Sequence, residues 1–227
     1  VTITRNDNDE SIKEKVKNAD FIYHLAGINR PVDDSEFKKG NTDLTQKIVE
    51  VLITNERTCP IVLTSSIQAE LQNPYGISKA AAEAVIASYS EKTGAATYIY
   101  RLPNVFGKWC KPNYNSAVAT FCYNTINDLP VTVHNADADL NLVYIDDVCH
   151  AFVGLLTDPP SEFKEICLVE PVYQTTVGAV VSLLNDFKQS RTSLITNKVG
   201  VGFERALYST YLSYFKPEQF TYDVPSY

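Results

Sequence analysis

The sequence predicts an α/β protein, a doubly wound parallel sheet joined to a smaller α+β substrate-binding lobe. Three observations predict it. Short apolar runs alternate with stretches of helical periodicity up to Gly107. The side chains with chemical potential stand at the carboxyl ends of those runs, where parallel sheets bind their ligands. Beyond Gly107 the alternation gives way to a mixed pattern.

Each element follows from its residues. Residues 1–4 (VTIT) read as the end of a strand, and residues 9–18 as a charged amphipathic helix. Residues 19–25 (ADFIYHL) read as a buried strand. A long helix is expected over 35–55, with Leu44, Ile48, Val51 and Leu52 at helical spacing. Residues 60–64 (PIVLT) form a short apolar strand. Residues 73–92 form a helix with Ala81, Ala82, Val85, Ile86 and Tyr89 on one side, and 96–100 the next strand. Strands joined through helices must run parallel, because such a connection returns the chain to the same end of the sheet. Further on, helices are expected over 114–126, 146–156 and 177–188, and strands over 131–133, 140–145 and 165–169. An aromatic segment occupies 207–215.

Composition narrows the function. At 227 residues the chain suits one large domain, or a domain with a smaller lobe. A formal charge of −7, with scattered Lys and Arg, argues against a nucleic-acid partner. No apolar run approaches the ~20 residues of a membrane span. Five widely spaced cysteines without a C-x-x-C read as the reduced thiols of a cytoplasmic protein. Three separated histidines are too few for a convincing metal site. The chain has no methionine and opens inside an apparent strand, so a piece of a longer protein is expected.

The run Tyr75-Gly-Ile-Ser-Lys79 carries the chemistry. Four-residue spacing brings the phenol and the ammonium to one helix face. An ammonium beside a phenol favours the phenolate and is expected to bring its pKa down, readying it for proton exchange. Ser66 stands nine residues upstream, at the end of an apolar strand. Alone, the pair could be a packed tyrosine and a surface lysine, and Ser66 a turn residue.

Together these residues resemble the catalytic trio of the extended short-chain dehydrogenases/reductases, the NAD-dependent epimerase/dehydratase group. His24-Leu-Ala-Gly27, Gly40-Asn41, Arg101-Leu-Pro-Asn-Val-Phe-Gly107 and Val143-Tyr-Ile-Asp-Asp147 are similar to further motifs of that group, in the same order. Longer runs, HLAGINRP (24–31), SSIQAELQNPYGISK (65–79) and YRLPNVFGKWCKPNYNSAVATFCYN (100–124), resemble the CapF family of capsule synthesis. The resemblance implies a Rossmann-like fold lacking its first βα unit, and with it the Gly-rich phosphate loop. It implies an NAD(P)-binding part over 1–107 plus about 142–157, and a sugar-nucleotide lobe over 108–141 and 158–227.

The implied activity is NADPH-dependent reduction of the 4-keto group of a UDP-linked 6-deoxy-N-acetylhexosamine, toward an L-fucosamine-type precursor. Ser66, Tyr75 and Lys79 would be catalytic, with Tyr75 as proton donor. Arg5, Leu25, Ala26, Gly27, Asn41, Leu102 and Pro103, with Tyr75 and Lys79, would hold the cofactor. Arg5 favours NADP over NAD, because an arginine there accommodates a 2′-phosphate. Asn104, Lys111, Asn115 and Ser116 would meet the substrate. Asn104 could otherwise be a cap, as could Asn115 and Ser116. Trp109, Tyr114 and Phe121 could stack on uracil or pack a core. Lys111 ranks before Lys108 and Arg191 as the diphosphate clamp. His24 reads as a satisfied core histidine.

The resemblance also implies a homodimer paired through helices 42–55 and 75–92, and a cupin following this chain in the whole protein. Two rival readings stand: an NAD-dependent epimerase on the same fold, and a non-catalytic nucleotide-binding module. Dehydratases of the group carry Asp-Glu after the catalytic Ser or Thr. Here that place holds Ile67-Gln68, which tells against elimination.

Overall fold

The computed structural model describes residues 1–160 and 165–221. They form two compact units, one of residues 1–102 and 155–168, the other of 103–154 and 169–221 among the described positions.

In the first unit, three strands form a parallel sheet in the order β1-β2-β3: β1 (Ile22–His24), β2 (Ile61–Ser66) and β3 (Thr97–Leu102). Helix α1 (Asp9–Lys17) precedes β1. Asn8 caps it by accepting from the Ser11 backbone N–H at 2.9 Å. Acidic residues open α1 and lysines close it, in keeping with the helix dipole. Between β1 and β2 lie the short α2 (Ser35–Phe37), a π-helical turn (Lys38–Asp43) and α3 (Leu44–Thr54). Between β2 and β3 runs α4 (Pro74–Thr93), capped by Asn73 on the Gly76 N–H at 2.7 Å, with Pro74 at its first position.

The core joins Ile12 and Val16 of α1, Ile48 and Leu52 of α3, Ile61 and Leu63 of β2, and Ile86 and Tyr89 of α4. Tyr89 is fully buried, and its hydroxyl donates to the carbonyls of Cys59 and Arg57 at 2.9 and 3.1 Å. A phenol can lie this deep because its polar end is satisfied.

The second unit holds a mixed sheet. Strand β4 (Asn104–Phe106) runs parallel to β5 (Asp139–Tyr144), and β6 (Val172–Thr176) runs antiparallel to β5. Helix α5 (Ala117–Ile126) lies between β4 and β5, and α6 (Ile145–Thr157) follows β5 directly. Helices α7 (Val177–Ser193) and α8 (Gly202–Leu212) complete it. Phe106, Phe121, Leu142, Leu184, Phe187, Leu207 and Tyr211 share one apolar cluster. Among the described residues no helix is long and apolar enough to cross a membrane.

Four expected elements differ. Residues 1–4 form no strand, because they have no ladder partner among the described residues; a strand needs a neighbour for its backbone groups. Residues 131–133 are irregular for the same reason. Residues 165–169 give a single bridge, in which the Cys167 N–H meets the Ile99 carbonyl at 2.7 Å. The expected long helix over 35–55 is broken by the π turn. A side-chain carbon on Gly40 would lie 2.4 Å from Ile28, so the chain approaches there as closely as glycine allows. The strands at β4 and β6 were not expected, since three to five residues show too little alternation.

Gly76 is the other close approach. A Cβ there would sit 2.2 Å from the Gln68 carbonyl oxygen and 2.6 Å from that of Leu71. Gly76→Ala is therefore expected to push the start of α4 outward and cost about 1–3 kcal/mol, read as a lower midpoint in urea unfolding.

Candidate active site

The carboxyl ends of β1 and β2 and the start of α4 bring the expected residues of the first unit together. After β1 the chain turns outward, leaving Leu25, Ala26 and Gly27 exposed. Asn41 holds this loop from beneath. It is 2% exposed, its Oδ1 accepts from the Ile28 N–H at 2.8 Å, and its Nδ2 donates to the Ile28 carbonyl at 3.0 Å. The same Nδ2 donates to Ser78 Oγ at 2.9 Å, tying the loop to α4. Asn41 is the buried residue of the π turn, a form frequent at functional sites.

Ser66 ends β2 and serves two ends. Its Oγ accepts from the Gln68 N–H at 3.2 Å, capping a short 3₁₀ turn, and its hydroxyl acts on the Tyr75 phenol to lower its pKa. Tyr75 rests its ring on Phe37, with centroids 5.6 Å apart. Lys79 follows one turn along α4. It is 6% exposed, and its Nζ donates to the Thr64 carbonyl at 2.7 Å.

The electrostatics differ from the sequence expectation. Burial raises the Tyr75 pKa above the ordinary phenol value, and the Ser66 hydrogen bond offsets only part of that rise. The Lys79 Nζ lies 6.0 Å from the Tyr75 ring centroid and is directed to Thr64, so it does not bring the phenol down. Desolvation wins over the ammonium's attraction. The same burial lowers Lys79 to about 8, a fall that the charge of Glu83 partly opposes.

Lys79 and the exposed loop are the groups of this unit that could hold a dinucleotide's ribose. An ammonium has three donors, and Thr64 takes one. A Cβ on Gly27 would come within 3.4 Å of Lys79 Nζ and 2.9 Å of Asn41 Oδ1, so the bare backbone keeps this approach open. Arg5 lies in an exposed turn closed by the Asp7 N–H on the Thr4 carbonyl at 3.2 Å. Leu102 is buried at the end of β3.

Pro103, Asn104, Lys111, Asn115 and Ser116 belong to the second unit. Asn104 is exposed on β4, so it caps no helix. Ser116 caps α5, its Oγ accepting from the Ala119 N–H at 3.2 Å, and Asn115 precedes it on the surface. Lys111 is exposed, with its Nζ 5.6 Å from the Tyr114 ring centroid. Lys108 pairs with Asp146 at 2.8 Å, and Arg191 donates to the Thr221 carbonyl at 2.9 Å and lies over Phe215. Phe121 is core, whereas Trp109 is 79% exposed and Tyr114 is also on the surface.

Sequence reasoning passed over several partners. Ser78 donates to the Tyr75 carbonyl at 2.7 Å while accepting from Asn41. Glu83 is buried and meets Arg101 through two nitrogens, the Nε at 3.0 Å and the Nη2 at 2.7 Å. The signal for Glu83 was present: it stands one turn beyond Lys79 on the same helix face.

The fold defines an α/β protein of the Rossmann-like type. Residues 1–167 match the NAD dependent epimerase/dehydratase family, and the chain belongs to that family. It is 49% identical over 225 residues to UDP-2-acetamido-2,6-beta-L-arabino-hexul-4-ose reductase of Pseudomonas aeruginosa, covering 99% of this chain and 60% of that protein. The crystal structure of the capsular polysaccharide assembling protein CapF from Staphylococcus aureus matches with a TM-score of 0.86 and 42% identity, over 96% of this chain and 59% of that one. UDP-glucuronic acid 4-epimerase from Bacillus cereus, in complex with NAD, matches with a TM-score of 0.75 at 17% identity, over 92% of this chain and 78% of that one; this likeness bears on the fold alone. The chain thus spans about 60% of the length of the curated relative it matches.

His24 is a core histidine. It is buried, with Nε2 2.8 Å from Thr45 Oγ1, and burial lowers its pKa from 6.5 to about 4. The unfolded chain therefore takes up this proton first. The His24 contribution to stability is whole above pH 6.5 and is lost as pH falls toward about 4. Urea midpoints measured across that interval should fall with pH, and His24→Asn should flatten the dependence.

Proposed function

We propose that this chain is the reductase part of a sugar-nucleotide enzyme. It reduces the 4-keto group of a UDP-linked 6-deoxy-N-acetylhexosamine toward an L-fucosamine-type precursor of capsular or surface polysaccharide. One observation carries the reading: the half-buried Tyr75 at the start of α4, with Ser66 at the end of β2 and the buried Lys79 one turn along the same helix. The substrate class is that of the Pseudomonas aeruginosa relative's name.

NADPH, when bound, supplies the hydride that adds to the C4 carbonyl carbon. Ser66 holds the carbonyl oxygen through its hydroxyl. Tyr75 donates its phenolic proton to that oxygen as negative charge develops there, so ketone becomes secondary alcohol. The phenol arrives protonated at neutral pH, its pKa lying above the ordinary phenol value. Lys79, charged below about pH 8, offers its remaining N–H donors to the cofactor ribose.

Under this reading residues 1–107 with about 142–157 bind the dinucleotide, through Leu25, Ala26, Gly27, Asn41, Leu102 and Pro103 beside the trio. Residues 108–141 and 158–227 take the sugar nucleotide, with Asn104, Lys111, Asn115 and Ser116 facing it. Arg5 meets the 2′-phosphate of NADP(H). Two copies pair through helices 42–55 and 75–92, and a cupin follows in the whole protein.

Tyr75→Phe in the full-length protein should lower kcat by about 10²–10⁴, measured as loss of NADPH absorbance with the 4-keto sugar nucleotide. Wild-type turnover in that variant, or product formed with no NADPH consumed, would sink the reading; the second outcome marks an epimerase. Arg5→Ala should raise the KM for NADPH about tenfold or more while leaving that for NADH unchanged, since it removes a charge-assisted hydrogen bond.

A further inference from the structure

Glu83 is an acid in an unusual place. It is 7% exposed on α4, one turn beyond Lys79. Its Oε1 accepts from Ser65 Oγ and from Arg101 Nε, and its Oε2 accepts from Arg101 Nη2 at 2.7 Å. Arg101 Nη1 reaches on to Glu70 at 2.9 Å. One carboxylate thus fastens α4 to the residue before Ser66 on β2 and to the end of β3.

The charges make this more than a clamp. Lys79 is buried, and the partner it donates to, the Thr64 carbonyl, is neutral. A buried ammonium without a counter-ion tends to shed its proton, because desolvation penalises the charged form. Glu83 lies on the same helix face and is fixed from two sides. Glu70 in turn offsets the guanidinium, so Arg101 does not cancel Glu83 outright.

We propose that Glu83 is a positioning residue for the Tyr75–Lys79 pair: its carboxylate holds α4 to the ends of β2 and β3 and supplies the countercharge that keeps Lys79 an ammonium at neutral pH. The kinetic consequence rests on the reductase reading above; the charge coupling does not. A clamp without electrostatic purpose predicts lost stability and an unaltered Lys79.

The titration of Lys79 decides between them. In protein carrying ¹³C-labelled lysine, the Cε resonance of Lys79, assigned through Lys79→Arg, reports its proton without any substrate. The parent should titrate near pH 8. Glu83→Gln keeps the shape and loses the charge, and should lower the midpoint by about one unit or more. Glu83→Asp keeps the charge and should stay close to the parent. An unchanged midpoint in Glu83→Gln, or an equal fall in Glu83→Asp, overturns the proposal. Should Glu83→Gln not fold, Arg101→Gln takes its place: freeing Glu83 from its guanidinium raises the Lys79 midpoint, and no rise overturns the proposal. In the full-length reductase Glu83→Gln should lower kcat at neutral pH by about twofold or more with KM for the sugar nucleotide kept, and a raised KM with kcat intact counts against it. If the parent itself shows no turnover, the reductase reading fails, while the titration still settles the role of Glu83.

Discussion

A buried ammonium organises the first unit. Lys79 is drawn beneath the end of β2, out of water, where a charge is expensive. The surroundings answer that cost in a specific way. The Thr64 carbonyl meets one proton directly, and the Glu83 carboxylate opposes desolvation from one turn away. Glu83 is itself held by Ser65 and Arg101, so the charge of Lys79 is coupled to the ends of two strands. Tyr75 shares the helix, and its phenol meets Ser66 at the same strand end. Moving α4 would disturb all of these at once.

The helix is held in place by polar contacts at its start and apolar ones along its length. Asn73 and Pro74 begin it, Gly76 lets it lie against the Gln68 and Leu71 carbonyls, and Ser78 joins it to Asn41. Further along, Ile86 and Tyr89 enter the core shared with α1, α3 and β2. Close packing transmits small displacements instead of absorbing them. The reactive side chains therefore sit at the end of a helix whose other end is anchored in the core.

Much of this was legible in the residues. The runs FIYHL and IVLTSS are apolar and β-branched enough to read as strands of a parallel sheet, and both are. The Tyr75/Lys79 spacing on a helix and Ser66 at a strand end were visible for the same reason: each depends on local periodicity. The assignment of His24 to the core also held, because a histidine inside an apolar strand finds a buried neighbour, here Thr45. Other features were illegible. Residues 1–4 have the composition of a strand, yet pairing needs a partner that composition cannot supply. The π turn inside the helix over 35–55 places Gly40 against Ile28, a contact between distant segments that the pattern of either does not show.

Alone, the sequence determined the alternation of strands and helices from β1 to β3, the family, and which side chains carry reactive groups, because these follow from short-range pattern and residue chemistry. The tertiary structure decided their electrical state. Tyr75 was expected to titrate low beside an ammonium, and instead burial holds its proton on while the ammonium turns to Thr64. Likewise the burial of Glu83 comes from Arg101 and Ser65, which meet it from two strands of the fold. Solvation and the direction of a charge are properties of packed neighbours, and only the folded chain brings those neighbours together.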